Sequence, residues 1–115
     1  RWQVEVTFGE VRAHLGVETQ RQWSDRAIAR TTPVLMGLFS LVTLIAHRLQ
    51  SHCGVPIRAN AWYAKPRPTF SDALALVRSR LWQHRSFFGS IQTTDTVKIP
   101  AALLEQLTEA LCYAA

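Results

Sequence analysis

Residues 33–50 read PVLMGLFSLVTLIAHRLQ, and their composition is that of a long apolar helix. Pro33 suits the first helical turn, because its ring fixes φ and its missing N–H has no intrahelical partner there. The uncharged run 34–46 is thirteen residues long, which is short of the roughly 20 residues that span a bilayer. We therefore expect a helix buried in the core of a globular protein, and no membrane association.

The segment before this helix also has helical periodicity. In residues 1–16 the apolar side chains recur every three or four positions, and Gly16 is a suitable stop. The members of this apolar face are Val4, Phe8, Val11 and Leu15. Because they share one side of the helix, we expect the helix to dock through them.

Capping signals place the remaining helices. Ser24 precedes a short helical stretch at 25–30. Ser71 is the expected cap of a further helix, and Pro100 opens a last one. The predicted buried residues of these two helices are Leu74, Val77, Leu81, Leu104, Leu107 and Leu111. No segment alternates apolar and polar residues as a strand does, so the predicted fold class is all-α, with four to five helices.

Positive charge is concentrated in one part of the chain. The formal net charge is +5, and residues 48–85 hold seven basic residues against one acid, Asp72. Such an excess suits the phosphates of a polyanion, and it is equally typical of a solvated face that keeps a protein soluble. Cys53 and Cys112 have neither disulfide nor zinc-finger spacing, which favours a cytoplasmic location.

The first predicted helix carries a charged edge beside its apolar face. At ~100° per residue, Arg1, Glu5 and Arg12 fall within about 40° of one another. A carboxylate between two guanidinium groups is often an ordinary ion pair on a solvated helix surface. Helical geometry alone leaves that interpretation open.

The spacing Arg1-x3-Glu5-x6-Arg12 matches part of a longer signature, Y-x2-R-x3-E-x6-K. That signature is typical of one large group of bacterial insertion-sequence transposases in the DDE superfamily. The string RWQVEVTFGEVRAHLGVETQRQWSDRAIARTTPVLMGLFSLV also resembles the C-terminal region of that group. The similarity continues through WYAKPRPTFSDALALVRSRLW to KIPAALLEQLTEALCYAA, so it covers nearly the whole chain.

The resemblance implies a function and a role for each matching residue. In this group a ribonuclease-H-like α/β core holds divalent metal, normally Mg²⁺, with two Asp residues and one Glu for DNA cleavage and strand transfer. Glu5 would be the catalytic Glu and a metal ligand, and Arg1 and Arg12 would hold phosphates of the transposon ends. Residues 1–16 would be the catalytic helix of that core, and residues 17–115 a C-terminal helical region.

The chain departs from the signature in three respects. The signature Tyr would lie three residues before Arg1, and Arg12 stands where Lys is usual. The catalytic Asp residues of the group precede the Glu, whereas every Asp of this chain follows Glu5. We therefore expect a transposase fragment that is inactive alone, with DNA ends and a second transposase subunit as its partners.

Further candidate DNA contacts follow from the resemblance and from the basic segment. They are Trp2, Lys65, Arg67, Arg78 and Arg85. Trp2 adjoins the catalytic edge and would stack on an unpaired base, with ordinary aromatic packing as the alternative. Trp62 and Tyr63 are expected to pack in the core, with stacking on bases as their alternative.

Two other functions fit the same sequence. One is a non-catalytic basic helical module that binds DNA or a partner protein. The other is a helical interaction or membrane-associated protein built around residues 33–50. A ribonuclease-H-like region encoded in frame upstream distinguishes the enzyme from the binding module, and solubility without detergent argues against a membrane protein.

Overall fold

The computed structural model shows a helical chain, as the sequence predicts. It describes residues 2–19, 21, 23–58, 62, 64–84 and 98–114. The helices of this part are α1 (Trp2–Leu15), α2 (Asp25–Cys53), α3 (Phe70–His84) and α4 (Ala101–Tyr113). No strand occurs within those ranges, so the all-α prediction is confirmed for the described chain.

Helix α1 ends where the sequence predicts. Gly16 follows it with a φ of 72°, a left-handed conformation that glycine adopts without steric cost. Of the predicted docking residues, Val11 is fully buried and Leu15 is half-buried, whereas Val4 and Phe8 are exposed. The C-terminal half of α1 therefore docks on the rest of the protein, and its first turns present their apolar residues to solvent.

Helix α2 is longer than predicted, because residues 25–30 and the apolar run form one continuous helix. Ser24 takes the N-cap position, and its carbonyl accepts the N–H groups of Ala27 and Ile28 at 2.9 and 3.0 Å. Pro33 lies inside the helix and not in its first turn. The prediction of two separate helices is wrong, because one missing N–H interrupts a single hydrogen bond in a helix of 29 residues.

A small hydrophobic cluster joins α2 to α3. Its members are Val42, Ala46 and Val77, which are buried, with Ile45, Phe70, Ala73 and Leu74 packed against them. Phe39 of α2 stacks on Phe70 of α3, with ring centroids 4.5 Å apart. His14 of α1 meets the same Phe70 ring at 6.0 Å. The start of α3 is therefore the place where α1 and α2 come together.

The prediction that the apolar helix is buried is wrong. Within α2 the buried residues are Val42 and Ala46, whereas Val34, Leu41 and Leu44 expose 66%, 53% and 61% of their surface. In the described ranges α2 is also the one helix long and apolar enough to cross a membrane. Flanking residues extend α2 to 29 residues, so the length of the uncharged run does not by itself exclude a span.

Helix α3 begins at Phe70, and its cap is Thr69 instead of the predicted Ser71. The Thr69 carbonyl accepts the N–H groups of Asp72 and Ala73 at 3.1 Å, and the Asp72 side chain accepts the N–H of Thr69 at 2.8 Å. The bond from the Thr69 N–H to the Asp72 carboxylate is one half of a capping box, whereas the Thr69 hydroxyl donates to Asp72 at 3.0 Å instead of accepting its N–H. The Ser71 hydroxyl lies 2.8 Å from the Thr69 hydroxyl and shares a hydrogen bond with it.

Helix α4 packs on α3 with little of its own apolar surface. Within α4 the buried residue is Cys112, which the sequence does not predict. The leucines predicted to be buried but found exposed are Leu81, Leu104, Leu107 and Leu111. Their burial was predicted from periodicity, which identifies an apolar face but does not supply the surface that covers it.

Candidate functional site

The predicted catalytic edge of α1 faces solvent. Glu5 and Arg12 are both exposed, and their spacing places them on the same side of the helix, about 10 Å apart along its axis. The buried Val11 points about 110° away from that side. A DNA phosphate that approaches from solvent can therefore reach Arg12, and a cation can reach Glu5.

Arg12 already has an anionic partner. Its Nη2 donates to Glu18 Oε1 at 2.7 Å, and both side chains are more than half exposed. A pair so exposed contributes less than about 1 kcal/mol, because water screens it. A DNA phosphate would compete with Glu18 for the same N–H groups. Arg1 and the side chain of Trp2 lie outside the described residues, so their DNA contacts stay predictions.

Glu5 does not make a metal site by itself. Mg²⁺ demands near-octahedral oxygen coordination, usually from one or two carboxylates together with waters and phosphates. In the part of the chain that the structure describes, no three His, Cys, Asp or Glu side chains come together. The described residues thus do not complete a divalent-metal site, and Mg²⁺ binding by Glu5 stays a prediction for a longer enzyme.

Asp72 is the centre of a polar cluster that the sequence analysis did not predict. The side chain is fully buried. Its carboxylate accepts hydrogen bonds from the N–H and the hydroxyl of Thr69, at 2.8 and 3.0 Å. It also accepts the N–H of Arg58 and the hydroxyl of Tyr113, both at 3.2 Å. The Nζ atom of Lys65 lies 3.4 Å from the same carboxylate. Asp72 therefore ties the loop before α3, the start of α3 and the end of α4 to one another.

Hydrogen bonds keep the Asp72 carboxylate ionised in spite of its burial. Burial raises the pKa of a carboxyl group, but the hydrogen bonds from Thr69 and Arg58 and the charge of Lys65 together lower the pKa of Asp72 below its ordinary value. Tyr113 is affected in the opposite direction. Burial and the neighbouring Asp72 carboxylate raise the pKa of Tyr113 to about 12.

Titration of the tyrosines tests this cluster. The chain has two tyrosines, so the Tyr63→Phe variant leaves Tyr113 as the only phenol. We expect its ultraviolet tyrosinate signal to titrate at about pH 12. Adding Asp72→Asn removes the nearby negative charge and should lower the midpoint, while burial of Tyr113 still keeps it above the ordinary value of about 10. A midpoint near 10 before that second change, in protein still folded by circular dichroism, contradicts the Asp72–Tyr113 contact.

Two of the predicted DNA-binding residues are engaged inside the protein. Lys65 pairs with the buried Asp72. Arg78 of α3 donates from Nη1 to the carbonyl oxygens of Cys112, at 3.1 Å, and Ala114. Arg78 thus satisfies carbonyls at the C-terminal end of α4, which have no intrahelical partner. These contacts leave both side chains half-buried and reduce what they offer to DNA.

Other basic residues of the segment are open to solvent. Arg48, Arg58 and Arg67 are exposed. The Arg58 guanidinium lies over the ring of Tyr113, 5.0 Å from its centroid, which holds this cation in a fixed direction at the surface. These three residues are therefore better placed to meet phosphates than Lys65 or the half-buried Arg78.

The structure tests the predicted core packing of Trp62 but not that of Tyr63. Trp62 is 99% exposed, so core packing is wrong for this residue and its ring is accessible to a base. Tyr63 and the predicted DNA contact Arg85 lie outside the described residues.

A groove of about 350 Å³ lies where α1 comes next to the turn before α3. Val6 and Glu10 line it from α1, and Pro68 and Thr69 line it from the turn. Arg67 directly precedes Pro68 in this turn. The predicted catalytic helix and the basic segment are therefore neighbours in the fold.

Comparison of the chain with protein-family models, with curated proteins and with solved structures finds no match. The resemblance to DDE transposases thus rests on the residue pattern that begins with Arg1, Glu5 and Arg12.

Proposed function

We propose that this chain is the C-terminal part of a bacterial DDE transposase, an enzyme that cleaves and joins DNA. The observation that carries the proposal is the exposure of Glu5 and Arg12 on one side of α1, at the spacing of the transposase signature. A catalytic acid has to reach DNA, and this side of the helix is open to it.

In this proposal Glu5 is one carboxylate of a Mg²⁺ site that two Asp residues of a ribonuclease-H-like core complete. DNA cleavage therefore belongs to the complete enzyme, and we expect none from this chain alone. Arg1 and Arg12 position the phosphates of the transposon end, where a guanidinium group binds two oxygens at once. A second transposase subunit and a cytoplasmic location remain parts of the proposal.

DNA binding is the part of this function that the chain can show without the rest of the enzyme. We expect sequence-tolerant binding of double-stranded DNA, with log K falling against log salt at a slope of about −4 if about four basic residues meet phosphates. Arg48→Ala and Arg67→Ala should each reduce that slope by about 1, because both side chains are exposed. A filter-binding titration over a range of salt concentrations measures both effects.

The matched control is Lys98→Ala, which removes an exposed cation outside the basic segment. We expect this change to leave the salt slope unaltered. A flat salt response of the unmodified chain, or equal effects of all three substitutions, contradicts DNA binding through residues 48–85. The coding sequence upstream of Arg1 separates the enzyme from a non-catalytic DNA-binding module, since only the enzyme requires an in-frame ribonuclease-H-like region with two Asp residues.

The apolar surface of α2 favours a second candidate function, that of a helical interaction or membrane-associated protein. The supporting observation is that Val34, Leu41 and Leu44 are exposed on a helix long enough to cross a bilayer. A membrane-associated chain would sediment with lipid and need detergent to stay in solution. A transposase segment would stay soluble without detergent and retain DNA at low salt.

A further inference from the structure

The exposed side of α2 carries a regular stripe of residues. In chain order the stripe consists of Arg30, Val34, Gly37, Leu41, Leu44 and Arg48. The spacings alternate between four and three residues, which is the average repeat of 3.5 found at the a and d positions of helices that pair side by side. An apolar centre two heptads long is thus bounded by an arginine at each end.

The described residues leave this α2 stripe uncovered. Its apolar members are more than 50% exposed, and a Cβ atom added at Gly37 would meet no atom within 4 Å. The opposite side of α2 is occupied, since Val42 and Ala46 pack on α3.

A bilayer is a poor partner for this stripe, because a charged helix packs on the other side of α2. The contacts of Val42 and Ala46 with Val77 bring Asp72 and Arg78 of α3 to the level of the apolar run. A membrane around α2 would bring the half-buried Arg78 to hydrocarbon depth, where an ionised side chain is costly. A protein partner avoids this cost.

A second copy of α2 is also a poor partner. In a parallel pair Arg30 would face Arg30 and Arg48 would face Arg48. In an antiparallel pair Arg30 of one copy would face Arg48 of the other. Both arrangements bring like charges together at each end of the apolar contact, which disfavours association.

We infer that the α2 stripe binds an amphipathic helix of another protein, with apolar a and d residues and an acidic residue at each end of its apolar stripe. The two acidic residues would lie about 27 Å apart, the length of 18 helical residues between Arg30 and Arg48. Apolar burial at the centre supplies the affinity, and the two charge pairs fix the register. This inference does not rest on the proposed catalytic function, because it does not involve Glu5, and Arg48 is the one stripe residue that is also expected to meet DNA phosphates.

A labelled synthetic helix tests the inference by fluorescence anisotropy. The probe carries Leu at the a and d positions of two heptads and Glu at both ends of the stripe, and its control carries Lys at those ends. We expect the full 115-residue chain to bind the Glu probe about tenfold more tightly than the Lys probe. The double variant Arg30→Glu/Arg48→Glu should reverse that preference. The double variant Arg21→Glu/Lys98→Glu, which changes the net charge equally at exposed positions off the stripe, should retain it.

Three results would overturn the inference. The first is equal binding of both probes, which shows that the charge pairs do not contribute, or the same loss of Glu-probe binding in the two double variants, which shows that net charge alone acts. The second is a stable dimer by sedimentation that Leu41→Glu dissociates, which assigns the stripe to a second copy. The third is flotation with phosphatidylserine vesicles that Leu41→Glu abolishes, which assigns the stripe to lipid. Circular dichroism of each variant establishes that α2 is still formed.

Discussion

Replacing Glu5 by Gln in a full-length transposase that contains this segment is expected to lower the rate of DNA cleavage by several orders of magnitude. Binding of the transposon ends should be largely retained. Gln keeps the size and much of the hydrogen bonding of Glu but lacks the negative charge that a divalent cation requires. Cleavage and gel-shift assays with labelled transposon-end DNA and Mg²⁺ measure the two effects separately.

The matched control for this substitution lies on the same helix. Glu10→Gln makes the same chemical change one and a half turns further along α1, where Glu10 pairs with His14 at 3.3 Å. We expect it to cleave at close to the parental rate. If Glu5→Gln does so as well, Glu5 is an ordinary surface residue and the catalytic assignment is wrong. A melting curve for each variant excludes loss of folding as the cause of a low rate.

Arg12→Ala should have a different signature from Glu5→Gln. The exposed pair with Glu18 contributes little to folding, so the variant should be as stable as the parent. Its expected defect is weaker binding of DNA ends, with cleavage reduced mainly through lost positioning. Separating the two substitutions in this way distinguishes a catalytic carboxylate from a phosphate-binding cation.

Local signals in the sequence predict the helices of this protein well. Gly16 ends α1 through its own left-handed backbone, and Ser24 stands at the N-cap position of α2, although its side chain makes no capping hydrogen bond. The Thr69-x-x-Asp72 spacing is a capping-box pattern that would have placed the start of α3 correctly. Ser71 does not fit this pattern, because the residue three positions after it is Leu74 and not an acid.

Burial is the property that the sequence predicts poorly here. Periodicity selected Leu81, Leu104 and Leu111 as core residues, and all three are exposed. A helix period shows which residues share a side, whereas burial depends on what packs against that side. Residues 33–50 illustrate the same point, since their apolar composition suits equally a core, a membrane or a protein partner.

The Asp72 cluster depends on residues that are far apart in the chain. Arg58 lies 14 positions before Asp72 and Tyr113 lies 41 positions after it. Neither contact has a local signature, because they form only when α4 packs on α3. The basic residues of 48–85 therefore do not form one open surface, because Lys65 and Arg78 are engaged in internal contacts.

Replacing Asp72 by Ala is expected to destabilise the chain by about 1–3 kcal/mol. The change leaves the N–H groups of Thr69 and Arg58 and the charge of Lys65 without their acceptor. That loss is large beside the 5–15 kcal/mol that folded domains typically have. Urea denaturation followed by circular dichroism measures it. Asp25→Ala, which removes an exposed acid from the first turn of α2, should cost less than about 1 kcal/mol.

The pH dependence of stability gives an independent test of Asp72. Because its pKa is lower in the folded protein than in the unfolded chain, Asp72 contributes its full stabilisation above the ordinary Asp value of about 3.9. This contribution declines as the pH falls from there through the folded pKa, since the unfolded chain takes up the proton first. We therefore expect the urea midpoint of the parent to drop below about pH 4 by more than that of Asp72→Asn, which has no carboxylate to protonate at this position. Parallel pH profiles of the two proteins would show that Asp72 is not held ionised by Thr69, Arg58 and Lys65.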